Sequence, residues 1–449
     1  MNIREEISQC LGFPLKMNEI KTVKDICRRI WLFESESLIF DDFKYGPSWH
    51  MARMKAYYAL AKINGVFSEP HPYKRNFAWK FKYLYRSVLS FFRSLTAFLG
   101  GAKVDVIVVE HPRTQKHNGL LIDIYSYFYA KDLENRGLNF VIFSRTLNGQ
   151  FEKTDGFKRF SLDIIELLRV FFSEVLYRFI NGESEVFKKC NFYLGGGVSS
   201  ILKKSRVEFI YSYCIYKLLF SFYPNLKELV LVDGYSSRSG MILAAKDRGI
   251  AVVELQHGVA TKYHLGYSYD EACIPKCMLR CMPDVFFVWS EFWKESLRRF
   301  FPVNIKIYTN NFFTLETEKY QNVDKDNALV IISQGAISSL LAEAVFKGVR
   351  KFDGLKVYYK LHPSEYENWL SDNNLFNISK LENFSIVKDA DLYELLAKCK
   401  YQLGVFSTAL FEGVALNCET ILVNLPGIEY WDDFDIDFKD FESWDARDL

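Results

Sequence analysis

From Lys103 onward, short apolar runs alternate with stretches of helical periodicity, and this alternation constrains the fold more than any other feature. Parallel strands need a long connection back to the same sheet edge, so the pattern implies α/β architecture with crossover helices. Residues 403–427 show one complete unit. Leu403-Gly404-Val405-Phe406 stops at Ser407-Thr408, an apolar-periodic segment follows at once, and Thr420-Ile421-Leu422-Val423 runs on to Pro426-Gly427. Ser407 or Thr408 would be the helix N-cap, so hydroxyls, unpaired first-turn N–H groups and the positive dipole end converge on a spot that suits a phosphate. Glu412 lies four residues past Thr408 on the same helix face, where its carboxylate could accept hydrogen bonds from ribose hydroxyls. The plain alternative is a capped crossover helix with no ligand.

A first series of strands is expected at 104–110, 139–144, 229–233, 251–255, 284–289 and 304–308. Helices are expected at 119–135, 159–180, 198–222 and 240–248, and the apolar stripes of the two long ones read as core. A polar, charged stretch at 315–327 reads as a linker. A second series then places strands at 328–333, 355–361, 384–387 and in the unit at 403–427, with helices at 336–349 and 391–399. The resulting division is a helical N-terminal region (1–100), a first α/β domain (101–314), the linker, and a second α/β domain (328–449). The tail from Glu429, rich in Asp and Trp, is either a surface extension or a helix crossing back.

With 449 residues the chain is long for one core, which agrees with two domains. A formal net charge of +2 argues against a dedicated nucleic-acid binder. No stretch reaches the roughly 20 uninterrupted apolar residues of a membrane span, and Met1 to Glu6 shows no signal-peptide apolar region. The expectation is a cytoplasmic protein, at most on the inner face of the plasma membrane. Within 79–99, Leu84, Val88, Phe91, Leu95 and Phe98 recur at helical spacing, with Lys82, Arg86 and Arg93 off that stripe. Such a helix either rests on an anionic membrane surface or covers the following domain. Nine scattered cysteines fit reduced thiols, and the spacing of Cys273, Cys277 and Cys281 matches no metal motif.

The conspicuous polar residues all follow apolar runs: Glu110, His111 and Arg113, then Asp233, then Gln256, His257 and Gly258. The second series adds Gln334-Gly335, Lys360-Leu361-His362-Pro363 and Ser407-Thr408. In doubly wound sheets the C-terminal strand ends share one edge, where ligands bind. Pro363 holds His362 extended, which turns its imidazole out at the strand end. A histidine, with Lys360, opposite a hydroxyl-capped helix N-terminus could clamp a phosphate and stabilise a leaving group. Neither a Gly-Lys-Ser phosphate loop nor a Gly-x-Gly-x-x-Gly fingerprint follows a strand, so kinases and ordinary dehydrogenases are not supported.

On these motifs residues 100–430 resemble GT-B glycosyltransferases of bacterial capsule and lipopolysaccharide synthesis. Ser333-Gln334-Gly335, Lys360-Leu361-His362-Pro363 and Gly404-Val405-Phe406-Ser407-Thr408 with Glu412 are similar to the His-Pro and Ser-Thr motifs of bacterial sialyltransferases and related CMP-sugar enzymes. Glu254-Leu255-Gln256-His257-Gly258 and Pro283-Asp284-Val285-Phe286-Phe287-Val288-Trp289-Ser290 are similar to segments of surface-polysaccharide transferases. The resemblance implies two Rossmann-like domains facing a cleft and no metal or other cofactor. It implies a nucleotide-sugar donor held by Gln334, Gly335, Lys360, His362, Pro363, Ser407, Thr408 and Glu412. The saccharide or glycolipid acceptor would lie near His111, Arg113, Gln256 and Gly258, with Asp233 or His257 as the base. Val232-Asp233-Gly234 lacks the acidic residue that precedes Asp in the sialyltransferase pattern. A transferase of CDP-glycerol type and a catalytically idle module in an assembly complex are the alternatives.

Overall fold

The computed structural model describes residues 20–67, 77–98, 101–145, 156–180, 184–270, 276–432 and 434–448. Described residues within 30–56 and 74–314 form one compact unit, and those within 1–29, 57–73 and 315–449 form another. The helical N-terminal region is therefore no unit of its own; its described residues belong partly to each. Its helices are α1 (Val23–Ser37), α2 (Gly46–Ile63) and α3 (Phe77–Ser94).

The first unit continues with β1 (Val106–Val109), β2 (Thr114–His117), β3 (Leu120–Asp123), α4 (Tyr127–Asn135), β4 (Phe140–Ser144), β5 (Arg159–Ser161) and α5 (Asp163–Leu176). Next come α6 (Glu185–Leu194), α7 (Gly196–Ser221), β6 (Glu228–Val232), α8 (Ser239–Lys246), β7 (Ala251–Leu255), β8 (Val285–Val288), α9 (Glu291–Leu297) and β9 (Asn304–Ile307). Seven strands make one sheet in the order β5-β4-β1-β6-β7-β8-β9, parallel throughout. The chain winds outward from β1 through β4 to β5, returns to the centre at β6, and winds outward the other way. The reversal makes a switch point between β1 and β6.

The second unit takes in α10 (Phe312–Lys319) from Leu315 on, then β10 (Asp326–Ile332), α11 (Ser338–Lys347), β11 (Lys356–Lys360), α12 (Asn373–Ile378), β12 (Phe384–Val387) and α13 (Leu392–Lys398). It ends with β13 (Cys399–Gly404), α14 (Thr408–Ala415), β14 (Glu419–Leu422) and β15 (Phe438–Asp440). Its parallel sheet has the order β12-β11-β10-β13-β14-β15, with the same reversal between β10 and β13. Two doubly wound α/β units are thus present.

Several expectations are corrected. The helix expected from Gly119 begins only at Tyr127, because Asn118 and Gly119 both take positive φ (49° and 79°). That conformation makes the two-residue turn of the β2–β3 hairpin. Residues 159–161 are an edge strand, not the start of a helix. The apolar stripe of α5 is not all core, since Leu168, Phe171 and Val175 are exposed. The stretch 315–327 is not a free linker. Leu315–Lys319 completes α10, and the Lys325 ammonium donates to the carbonyls of Leu396 at 3.0 Å and Cys399 at 2.9 Å, satisfying the C-terminal end of α13. In the tail, β15 pairs in parallel with β14, and Phe441 and Trp444 are buried.

In the first unit, Arg53 and Glu34 form a fully buried ion pair at 2.6 Å. Arg53 also donates to the carbonyls of Leu265 (2.6 Å) and Ser268 (2.9 Å), so α1 and α2 anchor the loop after β7. Cys281 is buried; Cys273 and Leu99 lie outside the described residues. Among the described residues no helix is long and apolar enough to cross a membrane.

Candidate functional site

In the first unit the C-terminal ends of β1, β6 and β7 carry a connected polar cluster. Asp233, the residue after β6, takes left-handed backbone geometry (φ 64°), a conformation that costs a non-glycine residue strain. Its neighbour Gly234 is required for another reason: a Cβ there would stand 2.3 Å from Glu254 Oε2. Ser236 Oγ donates to Asp233 Oδ2 at 2.7 Å, whereas Asp233 Oδ1 is buried with no hydrogen-bond partner. Burial pushes the Asp233 carboxyl up to about 6, against the opposing pull of Ser236 and Arg238.

Glu254 on β7 is buried beside it. Its Oε1 accepts the Gly234 N–H at 2.9 Å and the Tyr267 hydroxyl at 2.8 Å. Burial, with the nearby Asp233 charge, raises its carboxyl to about 8. Tyr267 gives its single proton to Glu254, so its oxygen accepts from His257 Nδ1 at 3.1 Å. That leaves His257 Nε2 to accept the Tyr235 hydroxyl at 3.3 Å. Glu254, Tyr267, His257 and Tyr235 therefore form one hydrogen-bonded chain. Burial, then His111, His264 and Arg113, hold His257 well below its ordinary range, so its imidazole is neutral near pH 7.

His111 stacks on His257 with ring centroids 6.0 Å apart, and Tyr125 meets its ring edge-on at 5.0 Å. Arg113 donates from its backbone N–H to His111 Nδ1 at 3.2 Å and from Nη1 to the Tyr125 hydroxyl at 2.9 Å. Burial and the nearby arginines lower His111 to about 4. Asp123, at the end of the hairpin, accepts the N–H groups of His111 (3.1 Å) and Tyr125 (3.0 Å) and the Ser126 hydroxyl. Burial, then the Glu110 charge, raises it to about 7. Gln256 is occupied within the fold: its Oε1 accepts the Trp289 N–H at 3.0 Å, and its Nε2 donates to the Gly258 carbonyl at 2.9 Å.

In the second unit, β10, β11 and β13 end side by side. His362 has extended geometry (φ −71°, ψ 145°) before Pro363 and caps a short 3-10 turn. Its Nδ1 accepts the Ser364 N–H at 3.2 Å, which leaves Nε2–H as the donor. Glu365 closes the turn by accepting the His362 N–H at 2.6 Å and the Ser333 hydroxyl at 2.9 Å, tying the end of β10 to the end of β11. Gly335 is pressed onto the same turn: a Cβ there would lie 2.4 Å from Ser364 Oγ and 3.3 Å from His362 Nδ1. Gln334 Oε1 is buried with no hydrogen-bond partner.

Ser407 is the N-cap of α14, its Oγ accepting the Ala409 N–H at 3.3 Å, and Thr408 is the first helical residue. The turn at Gly427 (φ 104°) abuts the segment before Ser407, since a Cβ there would meet the Phe406 ring at 2.1 Å. Glu412 is buried in α14. Lys360 is engaged elsewhere: its ammonium donates to the Lys388 carbonyl and to the Tyr366 hydroxyl. Gln334, Gly335 and His362 thus gather with Ser364 and Glu365, and Ser407 opens the helix two strands over.

Sequence reasoning missed Asp123, Tyr235, Tyr267, Ser364 and Glu365, and it gave Glu254 no role. Glu254 had a signal, being a carboxylate in an otherwise apolar run, which demands a partner once buried. Among the described residues no group of three His, Cys, Asp or Glu could hold a metal ion.

No family model matches the sequence, and no curated protein matches it. Solved structures similar to it include the UDP-GlcNAc 2-epimerase of Methanocaldococcus jannaschii (13% identity, TM-score 0.41, covering 74% of this chain and 87% of that one). A glycosyltransferase from Rickettsia africae matches at 13% identity and TM-score 0.39, over 75% of this chain and 84% of that one. The α,α-trehalose 6-phosphate synthase of Burkholderia multivorans matches at 10% identity and TM-score 0.40, over 73% and 83%. These likenesses are distant, and no activity is carried over from them.

Proposed function

We propose that this chain is a GT-B glycosyltransferase that moves a sugar from a nucleotide-activated donor, a CMP-sugar by preference, to a saccharide or glycolipid of a bacterial surface polysaccharide. In the second unit, His362 Nε2–H and the positive end of α14 at Ser407-Thr408 would take the donor phosphate. The bond from the anomeric carbon to the phosphate oxygen breaks, and these donors stabilise the charge left on the nucleotide. In the first unit, the Asp233 carboxylate would accept the proton of the acceptor hydroxyl as the acceptor oxygen bonds to the anomeric carbon.

One observation carries this reading: a strained, partly unpaired carboxyl at a strand end beside the switch point, raised to about 6 and hence still mostly ionised at neutral pH. His257 is the weaker candidate, because burial holds its basicity well below the ordinary range and both its nitrogens are engaged by tyrosines. Its stack with His111 and the Arg113–Tyr125 pair favour a role in holding the acceptor. Lys360, already bound to carbonyl and hydroxyl oxygens, would support the β11 end without touching the donor.

Titration calorimetry with CMP, CDP, UDP and GDP, followed by donor hydrolysis with and without candidate acceptors, tests the proposal. Selective binding of a cytidine nucleotide and acceptor-dependent turnover are expected. Binding of none of the four would remove the donor site from this reading, and binding without turnover would leave an idle module.

A further inference from the structure

The helix α3 is divided lengthwise into three faces. One is docked: Ser87, Ser90 and Ser94 are buried, and Ser94 Oγ accepts the Ser161 N–H at 3.0 Å. On the same side Phe91 meets Phe160 edge-on at 5.8 Å, and the Tyr83 hydroxyl reaches Asp163 Oδ1 at 3.4 Å. At about 100° per residue, Phe81, Leu84, Tyr85 and Phe92, with Leu95 in the following turn, fall on a second face. All five are exposed, Phe81 to 65% and Phe92 to 63%. Lys82, Arg86 and Arg93 form the third face along one edge of this apolar row, and α3 contains no acidic residue. The usual arrangement is inverted, with small hydroxyl residues against the protein and large rings towards solvent.

Beside it, α5 repeats the device. The two helices pack on each other, and Leu168, Phe171 and Val175 recur at i, i+3 and i+7 on the outside of α5. Phe171 is 58% exposed, and Phe179 just beyond the helix is 81% exposed. Arg178 is exposed next to it, and the exposed Glu174 is already paired with Lys204 at 2.7 Å.

We infer that the paired outer faces of α3 and α5 dock on the surface of an anionic lipid bilayer. Aromatic and aliphatic rows of this kind enter the boundary of the acyl region, while a flanking row of cations meets phosphate headgroups. A second copy of the chain fits less well, because an isologous contact would bring no free carboxylate to Lys82, Arg86 and Arg93. The inference stands apart from the transfer reading.

The test is co-sedimentation of the full chain with vesicles of phosphatidylcholine alone or mixed with phosphatidylglycerol, at low and high salt. Wild type should bind the anionic vesicles at low salt and be released by salt. The double variant Phe92→Ser with Phe171→Ser should bind at least about tenfold more weakly although its cations are intact. Lys82→Glu with Arg93→Glu should lose the preference for anionic lipid. Circular dichroism checks that each variant is folded. Absence of binding by wild type at low salt would overturn the inference, as would unchanged binding of the Phe92/Phe171 variant. So would a dimer, seen by analytical ultracentrifugation, that the Phe171→Ser change dissociates.

Discussion

Glu254 holds Gly234: the buried carboxyl on β7 accepts the Gly234 N–H at 2.9 Å, in the turn where Asp233 takes φ 64°. The strained geometry of Asp233 is thus maintained from the neighbouring strand. Gly234→Ala would drive a Cβ to within 2.3 Å of Glu254 Oε2, a clash inside a hydrogen-bonded, buried group. We expect a loss of about 1–3 kcal/mol in stability by urea denaturation, together with lost transfer activity. A variant that unfolds at the wild-type midpoint would show that the turn relaxes freely.

The raised carboxyl of Glu254 makes a pH prediction. Its folded value of about 8 exceeds the ordinary 4.5, so between these limits the folded chain keeps a proton that the unfolded chain has released. The stability this group contributes is complete below about pH 4.5 and is lost as pH rises through about 8. Glu254→Gln keeps an acceptor for Gly234 and Tyr267 but cannot ionise. Its stability relative to wild type should climb across that window, by up to about 1.4 kcal/mol per pH unit. A pH-independent difference in denaturation midpoints would contradict the assignment. The buried histidines, whose values are lowered, cancel from this comparison because both proteins carry them.

In the second unit, Gly335→Ala should weaken nucleotide binding by pushing Ser364 and the His362 ring away, and His362→Ala by removing the donor itself. Each loss should be on the order of 1.5–3 kcal/mol by calorimetry. Ser364→Gly added to Gly335→Ala removes the atom that the new Cβ meets at 2.4 Å and should restore part of the affinity. Additive losses in the pair would place the defect elsewhere.

Ser407→Ala removes the cap of α14 and should cost about 0.5–2 kcal/mol of stability in addition to any loss of binding. Thr408→Ala, one residue inside the helix, should leave stability nearly unchanged. Equal destabilisation by the two would mean that the cap is shared.

Much of this architecture is legible in the sequence because apolar runs ending in His111, Asp233, His257, Gln334, His362 and Ser407 carry both the strand and its exit residue in one local signal. The strand order, with its return to the centre at β6 and β13, is set by pairing between distant strands, which no local signal carries. What escapes is set by contacts distant along the chain. Tyr267 lies in an irregular loop whose partners are distant along the chain, among them Arg53, 212 residues before Leu265, and His50, 219 residues before Tyr269. The exposed row on α5 has the same periodicity as a buried one, so sequence alone assigns it to the core. Edge strands β5 and β15 are three residues each, too short to show a period. The hairpin at Asn118-Gly119 did carry its signal, which the helical reading of the following residues obscured.

The central claim is that Asp233 deprotonates the acceptor, and single-turnover transfer at saturating donor tests it most directly. Asp233→Asn should lower the rate of the chemical step by roughly a hundredfold or more while donor affinity stays near that of wild type. Wild-type transfer by Asp233→Asn, together with a His257→Ala enzyme that binds donor and does not turn over, would contradict the account and move the base to His257.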